Sequence, residues 1–273
     1  MALVEVPQSR LWQPRAKRKS RIWAPDDEPC IRCATPSIVN VATYEPSYGS
    51  ASPASLTMTG TKAGHSIVVF AGEVGGGVTW SSVSDGVNTY TTEYVYNSDP
   101  SGNTIIALAK GIAGGSVTID AAFTGSSGYA FMYAFECTPI AGFDYANGDN
   151  GYTSGPADVN ASNITSPSPL PNLVLSHAND LVLAYVYDSN AVAGGGPGSP
   201  YYASPPSGWT LIEYTANYAN LLTYTTTSAA GTYAPTAPWT GGAQTWTMYA
   251  AAFYGPPTVG GTPNDSNFFG MNF

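Results

Sequence analysis

The sequence predicts an all-β protein, an antiparallel β-sandwich carried between two extended terminal arms, and three patterns predict it. Between residues 38 and 254 the chain consists of short runs rich in Val, Ile, Thr, Tyr and Phe, divided by clusters of Gly, Pro, Asn, Asp and Ser, with no amphipathic helical period. Within one run Val117, Ile119 and Ala121 alternate with Thr118 and Asp120, as a strand with one wet face requires. In another, Tyr129, Phe131, Tyr133 and Phe135 alternate with Ala130, Met132 and Ala134. Both faces of that strand are apolar, so at least two β layers must cover it.

The clearest strand candidates are 66–71, 89–96, 104–109, 116–123, 129–135, 181–187, 209–214, 221–227 and 245–253. Three of them recur in order: 67–71, 105–109 and 129–135 are echoed by 181–185, 221–225 and 246–253. Two organisations fit this weak duplication. One is a single jelly-roll-like sandwich over residues 38–254; the other is a pair of similar halves, about 50–140 and 172–254. The single body is the preferred reading. Two stretches rich in Pro and Gly, 142–171 and 194–207, read as exposed loops or subunit contacts.

Residues 1–37 lack either period, contain Pro7, Pro14, Pro25 and Pro29, and read as an extended arm. Residues 255–273 form a second arm, rich in Gly and Pro, that ends in Phe268, Phe269 and Phe273; these rings need an apolar site and are the expected C-terminal anchor.

Only 10% of the 273 residues are charged, against about 25% in an average protein, so the surface must be made of Ser, Thr, Asn, Gly and Tyr. The charges are also divided. The first 33 residues hold seven basic and four acidic side chains, net +3; the remainder holds two basic and fourteen acidic, net −12. Arg10, Arg15, Lys17, Arg18, Lys19 and Arg21, with Trp12 and Trp23 beside them, therefore form the expected partner-binding arm. Three targets suit it: an acidic protein surface, including another copy of this chain; nucleic acid, through phosphate contacts and ring stacking; or solvent alone. The acidic body disfavours nucleic acid, and a protein neighbour is preferred. No run has the length of a signal-peptide core or of a membrane-spanning helix, so neither export by that route nor a membrane is expected.

Several phrases resemble those of jelly-roll-like β-sandwich proteins of phage virions. They are Ser82-Val-Ser-Asp85 with Asn88-Thr-Tyr-Thr91, Ala109-Lys-Gly-Ile-Ala-Gly-Gly115, and Pro205-Pro-Ser-Gly-Trp-Thr210, within residues 50–254. The resemblance implies a fold more than a role. Joined to the charged arm and the missing export signal, it gives the expectation of a virion structural protein, a capsid-decoration or tail-associated subunit bound to other virion subunits and to copies of itself.

Chemical motifs are sparse. Cys30-Ile-Arg-Cys33 has the spacing of half a zinc site, but the second half is missing and free thiols are expected. An oxygen-rich stretch from Asp144 through Asp149 to Gly151 could hold Ca²⁺, yet its Asn, Asp and Gly also make ordinary turns, the preferred reading. His65 and His177 lack a nucleophile-elbow or Cys-His context and read as turn or strand-end residues. Glu73, Asp85, Glu93 and Glu136 are carboxylates from which a glycosidase pair could be drawn. Neither an enzyme nor a cofactor is expected. Carbohydrate binding is the alternative function, with Tyr201 and Tyr202 as loop rings for stacking on a sugar.

Overall fold

The computed structural model describes residues 33–44, 49, 51–74, 77–97, 103–126, 128–150, 168–169, 173–188, 208–215, 220–233, 236–237 and 246–258. Among the described residues there are strands and no helices, and every strand pairing is antiparallel. The all-β, sandwich-like expectation is therefore met, and each of the nine candidate runs becomes a strand.

Eight strands build the first half: β1 (Ile38–Tyr44), β2 (Ala54–Thr61), β3 (Ser66–Val74), β4 (Val78–Ser84), β5 (Tyr90–Tyr96), β6 (Thr104–Ala109), β7 (Gly115–Gly125) and β8 (Tyr129–Cys137). They form a five-stranded sheet ordered β1-β8-β3-β6-β5 and a three-stranded sheet ordered β2-β7-β4. The second half contains β9 (Gly142–Asn150), β10 (Ser168–Pro169), β11 (Leu173–Leu175), β12 (Leu181–Asp188), β13 (Thr210–Thr215), β14 (Asn220–Thr226), β15 (Gly231–Tyr233), β16 (Thr236–Ala237) and β17 (Trp246–Tyr254). Its large sheet runs β9-β17-β12-β14-β13, while β11 pairs β15 and β10 pairs β16.

The two large sheets have the same plan. β3 and β12 lie at the centre, β8 and β17 on one side, β6 and β14 on the other, so the three echoed runs occupy equivalent places. The edge strands correspond too, β1 with β9 and β5 with β13.

Side-chain alternation divides the core into three slabs. Ile67, Val69 and Ala71 of β3, with Ala130, Met132 and Ala134 of β8, face the three-stranded sheet and meet Leu56, Met58, Val78, Trp80, Val117 and Ile119. The opposite face of the same sheet presents Val68, Phe70, Ile106, Leu108, Phe131, Tyr133 and Phe135 to Leu181, Leu183, Tyr185, Tyr249 and Phe253 of the second half. Beyond these, Val182, Ala184, Ala250 and Ala252 pack on Leu173 and Leu175. The large sheets thus lie back to back, each covered on its outer side, and both are apolar on two faces. This is why β6 reads Thr-Ile-Ile-Ala-Leu-Ala with all six residues buried.

Bulky rings collect in the middle slab. Phe131 packs on Tyr185 with ring centroids 4.5 Å apart, Tyr133 on Tyr185 at 5.5 Å, and Tyr94 on Tyr249 at 6.3 Å. Gly72 makes room for this: it pairs with Phe131 across β3 and β8, and a Cβ built on it would overlap the Phe131 ring.

One expectation is corrected. Residues 142–150 belong to no loop; they form β9, because eight residues of β17 supply a ladder that outweighs the turn-like composition of Phe-Asp-Tyr-Ala-Asn-Gly-Asp-Asn.

Candidate functional site

The two ends of the described chain meet. Cys33 forms a β-bridge with Pro257, and the Ala34 amide donates to the Pro256 carbonyl at 2.9 Å. Gly255 permits this contact, since a Cβ there would overlap the Ala34 carbonyl oxygen. Residues 33–37 then cross to the first half, where Ser37 and Thr138 exchange two hydrogen bonds, Ser37 N to Thr138 Oγ1 and Thr138 N to Ser37 O, both 2.9 Å, before β1 begins. The last five residues of the expected N-terminal arm are thus a strap laid across the junction of the halves.

A polar cluster sits beneath that strap, on the bend between β11 and β12. Asp144, from β9, reaches the bend: its Oδ2 accepts the Ser176 and His177 amides at 2.7 and 3.0 Å, and its Oδ1 accepts the Ser176 hydroxyl at 2.5 Å. His177 Nδ1 lies 2.9 Å from Ser176 Oγ and 3.4 Å from Asp144 Oδ1, with its ring stacked on Tyr254 at 3.8 Å and 9°. Gly142 leaves the space that Tyr254 occupies. Asn179 has a positive φ of 64°, a left-handed conformation that Asn tolerates, and its side chain donates to the Cys33 carbonyl at 3.0 Å. Asp180 closes the bend by exchanging bonds with Thr227, Asp180 N to Thr227 Oγ1 at 3.1 Å and Thr227 N to Asp180 O at 2.9 Å.

The electrostatics of the two acids diverge. Burial alone would raise Asp144, but hydrogen bonds from Ser176, Asp180 and the backbone reverse that and hold it below the usual carboxylate range. Burial, then hydrogen bonding to Asp144 and the Asp144 charge, push Asp180 up to about 8.

Ser, His and Asp side chains are all present here, but not as a hydrolytic relay. Such a relay places the histidine between the two others, one ring nitrogen to each. In this bend Ser176 and Asp144 converge on the same nitrogen, and the Ser176 hydroxyl also lies against the carboxylate. The arrangement fixes a turn.

His65 also serves a turn. Its Nδ1 and the Lys62 amide both meet Glu136 Oε1, at 2.7 and 2.8 Å. Of the carboxylates weighed for a glycosidase pair, Glu73 takes the Gly77 and Gly128 amides. Glu73 pairs Ala130 while Glu136 pairs Ile67. Six residues of β3 therefore separate them, about 20 Å at about 3.3 Å per residue, too far for joint catalysis, which needs about 5–9.5 Å. Asp85 accepts the Val87 and Asn88 amides, the Asn88 side chain and the Tyr90 hydroxyl. Asn88 in turn accepts the Ala113 amide at 2.9 Å. Two of the phrases behind the virion resemblance are thus partners in one turn.

The remaining sequence candidates are placed as follows. Cys33 is disulfide-bonded and buried, so the free-thiol expectation is corrected at this residue and no Cys33 thiolate is offered to zinc. Cys30 lies outside the described residues. Asp144 and Asp149 both lie on β9, where Asp144 is engaged by the bend, while the Asp149 side chain lies outside the described residues. Arg10, Trp12, Arg15, Lys17, Arg18, Lys19, Arg21, Trp23, Tyr201, Tyr202, Phe268, Phe269 and Phe273 lie outside the described residues. Sequence reasoning passed over Asp180, Asn179 and Tyr254; the only local signal was the polar run Ser176-His-Ala-Asn-Asp180 ahead of a strand.

In comparisons with known proteins, no family model, curated sequence or solved structure matches the chain. Among the described residues no helix is long and apolar enough to cross a membrane.

Proposed function

We propose that the chain is a structural subunit of a multi-copy assembly, a virion decoration or tail-associated protein, in which a double β-sandwich is tethered to neighbouring subunits by its terminal segments. The Cys33–Pro257 bridge carries this reading. It sets Cys33 beside Pro257, and the basic sequence precedes the one while the aromatic sequence follows the other. A cationic stretch and three Phe residues joined to neighbouring positions of the body make a composite attachment element, and a neighbour needs only one acidic surface with an apolar pocket to receive both. Because the rest of this chain carries net −12, another copy supplies the acidic surface.

Removing residues 1–29 tests the reading while sparing the strap and both cysteines of Cys30-Ile-Arg-Cys33. The truncated body should keep its β-sheet circular dichroism and its unfolding midpoint. In sedimentation at low salt the full chain should self-associate and dissociate as salt screens the charges, whereas the truncated chain should stay monomeric. Unchanged association after truncation would sink the tether.

A further inference from the structure

We propose that Asp144 and Asp180 form a proton-operated latch that holds the strap of residues 33–37 against the second half of the protein, closed while the pair shares a proton and opened when that proton leaves.

The surroundings of the two acids divide them into a charged and a neutral member. Asp180 is fully buried, and among the described residues no donor reaches either of its carboxyl oxygens. The group beside it is the Asp144 carboxylate, whose oxygens already accept two amides and a hydroxyl. An ionised carboxylate only accepts, so two ionised acids here would have nothing to exchange. The donors around Asp144 mark it as the charged member, and Asp180 can form a hydrogen bond with it only as the neutral acid. The raised titration of Asp180 and the lowered titration of Asp144 agree with this division. The groups facing the pair come from two elements, and His177 Nδ1 lies 3.4 Å from Asp144 Oδ1. From the bend comes His177 and from β17 Tyr254, each engaged by the other's ring. Lys110 bonds the Ala141 carbonyl, and among the described residues no Lys or Arg forms an ion pair with either acid.

The bend passes this local charge state to the strap. Asp180 follows Asn179, whose left-handed backbone needs its surroundings to hold it and whose side chain grips the Cys33 carbonyl. When Asp180 ionises, two adjacent buried carboxylates repel and demand water. The bend then shifts away from Asp144 and Asn179 releases Cys33, while the strap keeps its contacts with Pro256, Pro257 and Thr138. The latch belongs to the isolated chain and stands whether or not the terminal segments tether it to a partner.

Hydrogen exchange of the full chain between pH 6 and 9, corrected for intrinsic rates, provides the test. Protection of the Ala34 and Thr227 amides should fall by about tenfold per pH unit while the closed state keeps a proton that the open state has lost, and level off above about 8. Asp180→Asn, which keeps a donor toward Asp144, should remove this pH response. Asn179→Ala should lower protection at Ala34 at every pH yet preserve the response at Thr227. An unaltered response in Asp180→Asn would overturn the latch. So would restored protection on adding Ca²⁺ at pH 9, which would make the pair a cation site. Should Asp180→Asn fail to fold, the carboxyl carbon resonance of Asp180 in the unmodified protein decides: an inflection near 8 supports the proposal, and one in the ordinary carboxylate range refutes it.

Discussion

Phe131 of the first half lies against Tyr185 of the second with ring centroids 4.5 Å apart and planes inclined by 30°. Both rings are at most 6% exposed, in a slab to which each half contributes one face. Neither large sheet could leave this face in water, since it carries most of the bulky side chains of β3, β6 and β8. Tyr185→Ala should therefore cost about 3–5 kcal/mol, the range for truncating a large buried aromatic ring. Because the slab is shared, urea unfolding followed by circular dichroism should show one transition at a lower midpoint. Two separate transitions in the unmodified protein would show that the halves are energetically independent.

Gly72 allows the same contact from behind. A side chain at position 72 would have to displace the Phe131 ring, which rests on the bare backbone of β3. Gly72→Val should destabilise the protein by about 1–3 kcal/mol through overpacking, despite the better strand propensity of Val. Paired with Phe131→Ala, much of that penalty should vanish, a coupling that a double-mutant cycle in urea measures directly.

The fold was legible in the sequence wherever burial imposes a period. The rings of 129–135 revealed a strand covered on both faces, and the echo of 67–71 in 181–185 marked two central strands that occupy equivalent places. β9 was hidden because its Asn, Gly and Asp are turn formers, and its strand conformation comes from β17, about a hundred residues away. The cluster was hidden for a related reason. Asp144 and Asp180 are separated by 36 positions, and nothing near either one shows that burial will set them together. The strap was invisible as well, since residues 33–37 carry no period and are held by backbone bonds to the far end of the chain.

Cys137 offers a probe of the middle slab. It is fully buried, its thiol points to the Phe135 carbonyl at 3.8 Å, and burial, then the charge of Glu136, push it above the ordinary thiol range. Thiolate is the reactive form, so iodoacetamide at pH 8 should leave Cys137 unmodified in the folded protein and label it in denaturant. Intact-mass analysis distinguishes the two. Labelling in Tyr185→Ala under native conditions would report that the slab opens locally once its central ring is lost.

Asp85 should give the protein an acid-sensitive turn. Burial raises its pKa, but bonds from Asn88, Val87 and Tyr90 outweigh that and leave it lowered from an ordinary value of 3.8. A carboxyl lowered in the folded state adds stability that is fully present above the unfolded value and is lost as pH falls through the folded one. At neutral pH Asp85→Ala removes an acceptor from two amides, an amide side chain and a hydroxyl, and should cost about 1–3 kcal/mol, as for hydrogen bonds to a charged group. The gap between the variant and the unmodified protein should then narrow below about pH 4, since protonated Asp85 can no longer accept all four. Urea midpoints of both proteins at pH 7 and at pH 3 measure this; a gap that is the same at both would mean that the turn depends on the shape of the side chain rather than its charge.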